Sequence, residues 1–204
     1  MNSSPTLTEE PIITIRGQCV GLGPLDPFML DDFTHWINDF QTIRTLGMDP
    51  RPMTRRQEQD WQDRLLTSDS TIMFAIYDLD DMRFVGTTGL FDINERHRSC
   101  ELGIAIMERE RQGKGLGTDA VRLITDYAIH GLEMHNVHLA TYEFNHAGQR
   151  AYAKAGFKEY GRRREAILHG GEWWDIIYMD VIASEWESPV MKQLMTPDEP
   201  RSAR

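Results

Sequence analysis

The spacing of apolar residues changes period twice along this chain, and the changes outline its elements. Residues 12–15 and 19–22 are β-prone and separated by Arg16-Gly17-Gln18, which predicts a first strand or short hairpin. Phe28, Met29, Phe33, Trp36, Ile37 and Phe40 then recur near helical spacing. Asp26-Pro27 starts that helix, since proline at its first position forfeits no hydrogen bond. Asp49-Pro50-Arg51-Pro52 interrupts the chain. A second helix is expected over residues 54–66, with Thr54 as its cap and Gln57 at the reciprocal capping-box position.

From residue 71 the period falls to two. Residues 71–77, 83–91 and 99–107 read as three strands joined by short turns, an antiparallel meander. After the third comes a glycine-spaced run, Gln112-Gly113-Lys114-Gly115-Leu116-Gly117-Thr118, which opens into a helical pattern. Ala120, Val121, Ile124, Tyr127 and Ala128 form its apolar face, and it ends near Gly131. A strand over 137–144, a short helix over 147–155 closed by Gly156, and strands 157–168 and 172–182 around His169-Gly170-Gly171 complete the pattern. The reading is one α/β domain over residues 12–186, with antiparallel and parallel neighbours in one sheet. Residues 1–11 and 187–204 are read as flexible polar tails.

Composition narrows the function classes. The chain has 204 residues and a formal net charge of -10, which disfavours nucleic acid, whose phosphates need a basic surface. Acidity would attract a cationic substrate, although solubility alone accounts for many acidic proteins. No apolar run approaches the ~20 residues of a membrane span, and the polar start lacks a signal-peptide pattern. The two cysteines, Cys19 and Cys100, give no disulfide framework, so a reducing cytoplasm is the expected setting. No metal is expected: His135 and His138 sit three apart on a strand and face opposite sides.

A strand, a glycine loop and a helix N-terminus together suit a phosphate, because loop amides and helix dipole both favour negative charge. The run does not supply the Gly-Lys-Ser/Thr of a nucleotide P-loop. The dinucleotide fingerprint, nearly met from Gly115, belongs to a parallel βαβ unit, whereas a meander stands here. The run does fit Gln/Arg-x-x-Gly-x-Gly. Downstream come Asn145 and then Tyr152-Ala153-Lys154-Ala155-Gly156-Phe157. Together these motifs resemble the two signatures of the GNAT superfamily of N-acetyltransferases, and the element order resembles it too. Glu101-Leu102-Gly103-Ile104 and the closing segment resemble its ribosomal-protein N-terminal acetyltransferase branch, which also has relatives acting on antibiotics, polyamines and amino acids. The one departure is Gly148, where an alanine-like residue is usual and where mid-helix glycine costs up to ~1 kcal/mol.

The resemblance implies a mixed, mostly antiparallel sheet of six or seven strands, flanked by about four helices and splayed at its central parallel pair. It implies acetyl-CoA as co-substrate. Gln112, Gly113, Lys114, Gly115, Leu116, Gly117 and Thr118 would hold the pyrophosphate. The backbone of Ile104, Ala105 and Ile106 would hold the pantetheine arm, with an N–H near Ile106 facing the oxyanion. Asn145 would bond a pantetheine amide. Tyr152 would be the general acid and line the cofactor site, and Glu101 the base for the substrate ammonium. A packed tyrosine ring and a salt-bridged strand carboxylate are the bland alternatives for those two. Arg109 and Arg111 could add charge, largely offset by Glu108 and Glu110. The expected reaction is direct acetyl transfer to a primary amine: a protein N-terminus, aminoglycoside, polyamine or amino acid. The rival reading is an acyl-CoA-binding sensor without turnover. An amine acceptor and a homodimer are the expected partners, with nucleic acid and membrane excluded.

Overall fold

The computed structural model describes residues 10–198. Its sheet holds eight strands: β1 (Ile15–Arg16), β2 (Val20–Gly23), β3 (Ile72–Asp78), β4 (Arg83–Asn94), β5 (Ser99–Ile106), β6 (Asn136–Tyr142), β7 (Lys158–His169) and β8 (Glu172–Ile182). They lie in the order β1-β2-β3-β4-β5-β6-β8-β7. The expectation of six or seven strands is corrected to eight, because the first segment folds back as a true hairpin and adds two strands at one edge. Every neighbour is antiparallel except β5 and β6.

Six helices are described instead of about four: α1 (Leu30–Ile37), α2 (Phe40–Ile43), α3 (Arg55–Leu66), α4 (Leu116–Asp126), α5 (His146–Ala155) and α6 (Met191–Met195). Local chemistry sets several boundaries where the sequence placed them. Asp26 accepts from the Phe28 N–H ahead of a 3-10 turn that feeds α1. Thr54 and Gln57 make the reciprocal capping box of α3. Gly156 closes α5 in the left-handed region, with φ of 114°.

Alternation along the strands gives the sheet two different faces. One buries Leu22, Ile76, Val85, Cys100, Leu102, Val137, Leu139 and Ile177 against α4, α5 and Met191 of α6. The other packs Ala75, Tyr77 and Phe84 against Met29 and Phe33 at the start of α1. Asp119, in the first turn of α4, ties the hairpin to the main core. Its Oδ2 accepts from the Cys19 and Val20 N–H groups at 2.8 and 3.1 Å.

The segment after Glu187 departs from its expected fraying over residues 187–198. Asp126 is fully buried and organises it. Asp126 Oδ1 accepts from Trp186 Nε1 at 3.0 Å, and Oδ2 accepts from Ser188 Oγ, Val190 N and Met191 N at 2.9, 2.9 and 2.6 Å. One carboxylate thus serves as the cap of a helix it does not belong to. Residues 1–9 and 199–204, the outer parts of the expected tails, lie outside the described residues.

α3 is unusual in burying polar side chains more deeply than apolar ones. Glu58 has no exposed surface, whereas Leu66 is 55% exposed. Gln62 Nε2 donates to Glu58 Oε1 at 3.1 Å, and Oε2 has no partner. Burial raises the Glu58 pKa above its ordinary 4.5, with the Gln62 bond opposing it.

Two stability predictions follow from these carboxylates. Asp126→Asn turns one acceptor into a donor facing donors, and should cost about 2–4 kcal/mol. Thermal melting and limited proteolysis should then show a lower Tm and faster cleavage within residues 187–198; unchanged cleavage would contradict the clasp. For Glu58 the folded chain keeps a proton that the unfolded chain releases, so its contribution is full below the ordinary carboxylate range and is lost as pH rises. Glu58→Gln should raise Tm at pH 7 by roughly 2–4 °C, with the gain shrinking toward pH 4.5. A lower Tm for Glu58→Gln at pH 7 would contradict the assignment.

Candidate active site

β5 and β6 run parallel, but their pairing covers only Ser99–Asn136, Cys100–Val137 and Glu101–His138. β5 continues to Ile106 and β6 to Tyr142 without further pairing to each other. The sheet therefore opens into a gap. Met107 N donates to Val85 O on β4, so by alternation the Ala105 and Gly103 backbone groups face β4. Those of Ile104 and Ile106 face the gap. Of the three strand residues expected to line it through their backbone, Ala105 stands apart: its carbonyl points at Gly86, where an added Cβ would lie 2.0 Å from the oxygen.

The glycine run lies immediately beyond the gap. After a 3-10 turn at Arg109–Arg111, Gln112 folds back so that its Nε2 donates to Ile106 O at 2.7 Å. Gln112 thus fixes the loop to the strand edge. Gly113 and Gly115 have φ of 76° and 92°, and a Cβ built on either would meet nothing within 4 Å. The outer side of the loop is therefore open, and it is the positive φ that disfavours any other residue. Leu116 is 4% exposed and sends its side chain into the core, so it offers only its backbone to a ligand. Asp119 N makes the first intrahelical bond, to Gly115 O, which leaves the N–H groups of Leu116, Gly117 and Thr118 at the helix mouth.

Charge near the loop is more selective than the sequence suggests. Arg111 is spent on Asp78 and Asp81, to which it donates at 2.6 and 2.5 Å, and these acids hold its pKa above the usual value. Glu108 pairs with Arg83 at 2.8 Å. Lys114 makes no ion pair among the described residues.

Across the gap, Asn145 caps α5. Its Oδ1 accepts from Gly148 N at 3.0 Å, and its Nδ2 donates to Thr141 Oγ1 at 3.3 Å. This accounts for Gly148. A Cβ there would lie 2.5 Å from Asn145 Nδ2, so the small residue makes room for the cap. Gly148 also falls in the first turn of α5 rather than mid-helix. Tyr152 follows on α5, 8% exposed and packed against Phe157 with ring centroids 6.3 Å apart. Burial pushes its phenol up to about 12, so it stays protonated at neutral pH.

Glu101 is half-buried on the opposite face of β5 from Cys100. Sheet register sets it beside His138, and His138 beside Asp180. Tyr160, displaced outward by a bulge in β7, reaches Tyr178 with centroids 6.0 Å apart. Asp180 and Glu101 both help raise the Tyr160 pKa, after burial. The sequence singled out Glu101 but not its companions, because cross-strand neighbours carry no local signal. Neither thiol is activated: burial pushes Cys100 up to about 12, and burial with Asp119 pushes Cys19 up to about 11.

Comparison with known proteins bears on this geometry. A family profile described as acetyltransferase (GNAT) domain matches residues 21–158. The chain is 32% identical over 121 residues to the probable N-acetyltransferase YjcK of Bacillus subtilis, spanning 59% of this chain and 66%, just under two thirds, of that protein. It is 24% identical over 154 residues to the spermidine N(1)-acetyltransferase of Vibrio cholerae, 76% of this chain and 88% of that protein. The crystal structure of the Vibrio cholerae spermidine N-acetyltransferase with CoA and spermine superposes with a TM-score of 0.75 at 23% identity, covering 81% of this chain and 96% of that one. With the profile spanning the meander, the glycine loop and α5, the chain belongs to the GNAT acetyltransferase family.

Proposed function

We propose that this protein moves an acetyl group from acetyl-CoA directly onto a primary amine of a polyamine-type cation. The observation that carries the reading is the gap between β5 and β6, opening beside a loop whose two left-handed glycines leave their outer side clear. A strand edge with unpaired N–H and C=O groups can pair with an amide-bearing arm, as in strand addition. Ile104 presents both groups and Ile106 its N–H, the Ile106 carbonyl being taken by Gln112, and the N–H groups of Leu116, Gly117 and Thr118 suit a pyrophosphate. Gln112 and Lys114 complete that end of the site, Gln112 by shaping the loop and Lys114 by charge.

Bound acetyl-CoA would supply a thioester carbonyl open to an uncharged amine. Glu101 removes a proton from the substrate ammonium, directly or through water. The Ile106 N–H faces the negative charge that develops on the carbonyl oxygen, a term worth a few kcal/mol. As the new C–N bond forms and the C–S bond breaks, the Tyr152 phenol would deliver its proton to the departing sulfur and be reprotonated by the proton that the acetylated nitrogen releases. Asn145 orients the arm while capping α5. With both cysteines held as thiols, transfer proceeds without an acetylated cysteine.

The acceptor class is supported by the strip formed by Glu101, His138 and Asp180 with Tyr160 and Tyr178. Two carboxylates and two phenols on one sheet face suit an alkyl polycation better than a neutral or anionic acceptor. The net charge of -10 favours its approach. Similarity to a spermidine N(1)-acetyltransferase points the same way. A homodimer, soluble in a reducing compartment, completes the proposal.

Release of CoA thiol from acetyl-CoA with spermidine, N-terminal peptides, an aminoglycoside and free amino acids tests this. Turnover should be fastest with spermidine. Tyr152→Phe should lower kcat by about 100-fold with little change in KM. Asn145→Ala should chiefly raise the KM for acetyl-CoA, with about 1 kcal/mol of lost stability from the helix cap. Because the phenol keeps its proton to about 12, the wild-type rate should not decline between pH 7 and 9. Unchanged rates in both variants would overturn the site assignment, and CoA binding without thiol release from any amine would overturn the enzymatic one.

A further inference from the structure

Across the strand pair from Glu101 stands Phe91 of β4, and beside them lies a bare patch of backbone. Gly89 and Gly103 are register partners, so β4 and β5 carry no side chain at that level of the α1 face. Met73 of β3 is the next partner in the same row. Two side chains lean over the patch from its borders. A Cβ on Gly103 would lie 2.8 Å from Phe91 Cε2, and one on Gly89 would collide with Met73 Sδ and lie 3.3 Å from Phe91 Cζ. Neither glycine has a positive φ, so no turn requires it. Both are fitted to the side chains above them.

A ring laid over a cross-strand glycine shields the backbone, and packing alone would explain that much. Two further observations point past packing. Phe91 and Met73 are both half-buried, and among the described residues neither belongs to either hydrophobic core, whereas Leu90 beside Phe91 is fully buried. The patch is therefore apolar and open on its outer side. Its position is the second observation. Phe91 flanks Glu101 on one side, and His138 and Asp180 continue the row on the other. Gly103 lies between Glu101 and Ile104, where β5 and β6 part. A bulge follows Phe91 at once, with Asp92 at φ of 48°, and such a bulge re-aims the strand beside it.

We infer that Phe91 and Met73, seated on Gly89 and Gly103, form an apolar trough for the methylenes next to the reactive nitrogen of the acceptor. An amine whose ammonium meets Glu101 rests its first carbons against the ring and directs its distal end toward the acidic strip. The trough thereby selects unbranched aminoalkyl arms over α-amino compounds, whose nitrogen adjoins a polar carbonyl. This rests on the amine-acetylation reading above and adds specificity residues to it.

The test is a series of linear amines, from ethylamine to pentylamine, whose nitrogens are chemically alike. With wild-type protein and acetyl-CoA, KM should fall about two- to fourfold per added methylene, at similar kcat. Phe91→Ala should flatten that gradient to below about 1.5-fold, and Phe91→Leu should retain part of it. Gly103→Ala keeps the ring but unseats it, and should flatten the gradient as well. The KM for acetyl-CoA should stay within about twofold in all three variants, which separates a lost trough from a damaged fold. A flat series in the wild type would overturn the trough while leaving the acetyltransferase reading intact. An unchanged gradient in Phe91→Ala would also overturn it, and would leave the ring a packing device. Calorimetry of the same amines with the CoA-loaded protein needs no turnover. A length gradient there without thiol release would sustain the trough and remove the catalytic reading.

Discussion

The structure depends on a hydrogen-bond ladder that is left unfinished. β5 and β6 pair over three residues and then part, leaving Ile104 and Ile106 with backbone groups directed into a gap. An unpaired strand edge in the middle of a sheet is costly unless something holds its two sides apart and something else fills the space. β5 is held by its long register with β4, and β6 by seven consecutive pairs with β8. Below the gap, α4 and α5 pack into the main core and are linked by Arg122. Above the end of β5, Gln112 occupies the Ile106 carbonyl and anchors the loop. The two halves of the sheet are thus braced separately.

That separation distributes the chemistry. Loop amides and the helix mouth lie at one end of the gap, Asn145 caps the helix on its far side, and the acidic and aromatic strip occupies the sheet face beyond Glu101. Charge follows the same division. Arg111, paired with Asp78 and Asp81, holds the β3–β4 turn and so organises structure beside the loop. Lys114, Arg122 and Lys154 border a cleft beside the loop and make no ion pair among the described residues. On the proposed reading, an acidic protein attracts a cationic acceptor at one site and holds an anionic donor at another.

Much of this was legible in the sequence because it is local. The capping box at Thr54 and Gln57, the glycine loop, the Gly156 stop and the Gly170-Gly171 turn each depend on a few neighbouring residues whose conformational demands are specific. A sheet mixing parallel and antiparallel neighbours was legible from element order, and the splayed central pair from the family resemblance. What escaped depends on distance in the chain. Asp126 and the Val190 N–H are 64 residues apart, so the ordered C-terminal segment left no periodic trace. The neighbours of Glu101 are set by register, and the bulge that places Tyr160 beside Tyr178 has no sequence signature of its own. Gly148 looked like a weak point in a helix; the Asn145 side chain lying over it makes it a fitted one. The alternation that turns Ala105 toward β4 needed a bond across strands, from Met107 to Val85.

The central claim is that the unpaired edge of β5 receives the arm of CoA. Residue-resolved amide hydrogen exchange with and without CoA tests it most directly. The account requires slowed exchange at Ile104 and Ile106, together with Leu116, Gly117 and Thr118, while Ala105, already facing β4, changes little. Protection confined to the loop, with Ile104 and Ile106 unaffected, would contradict it.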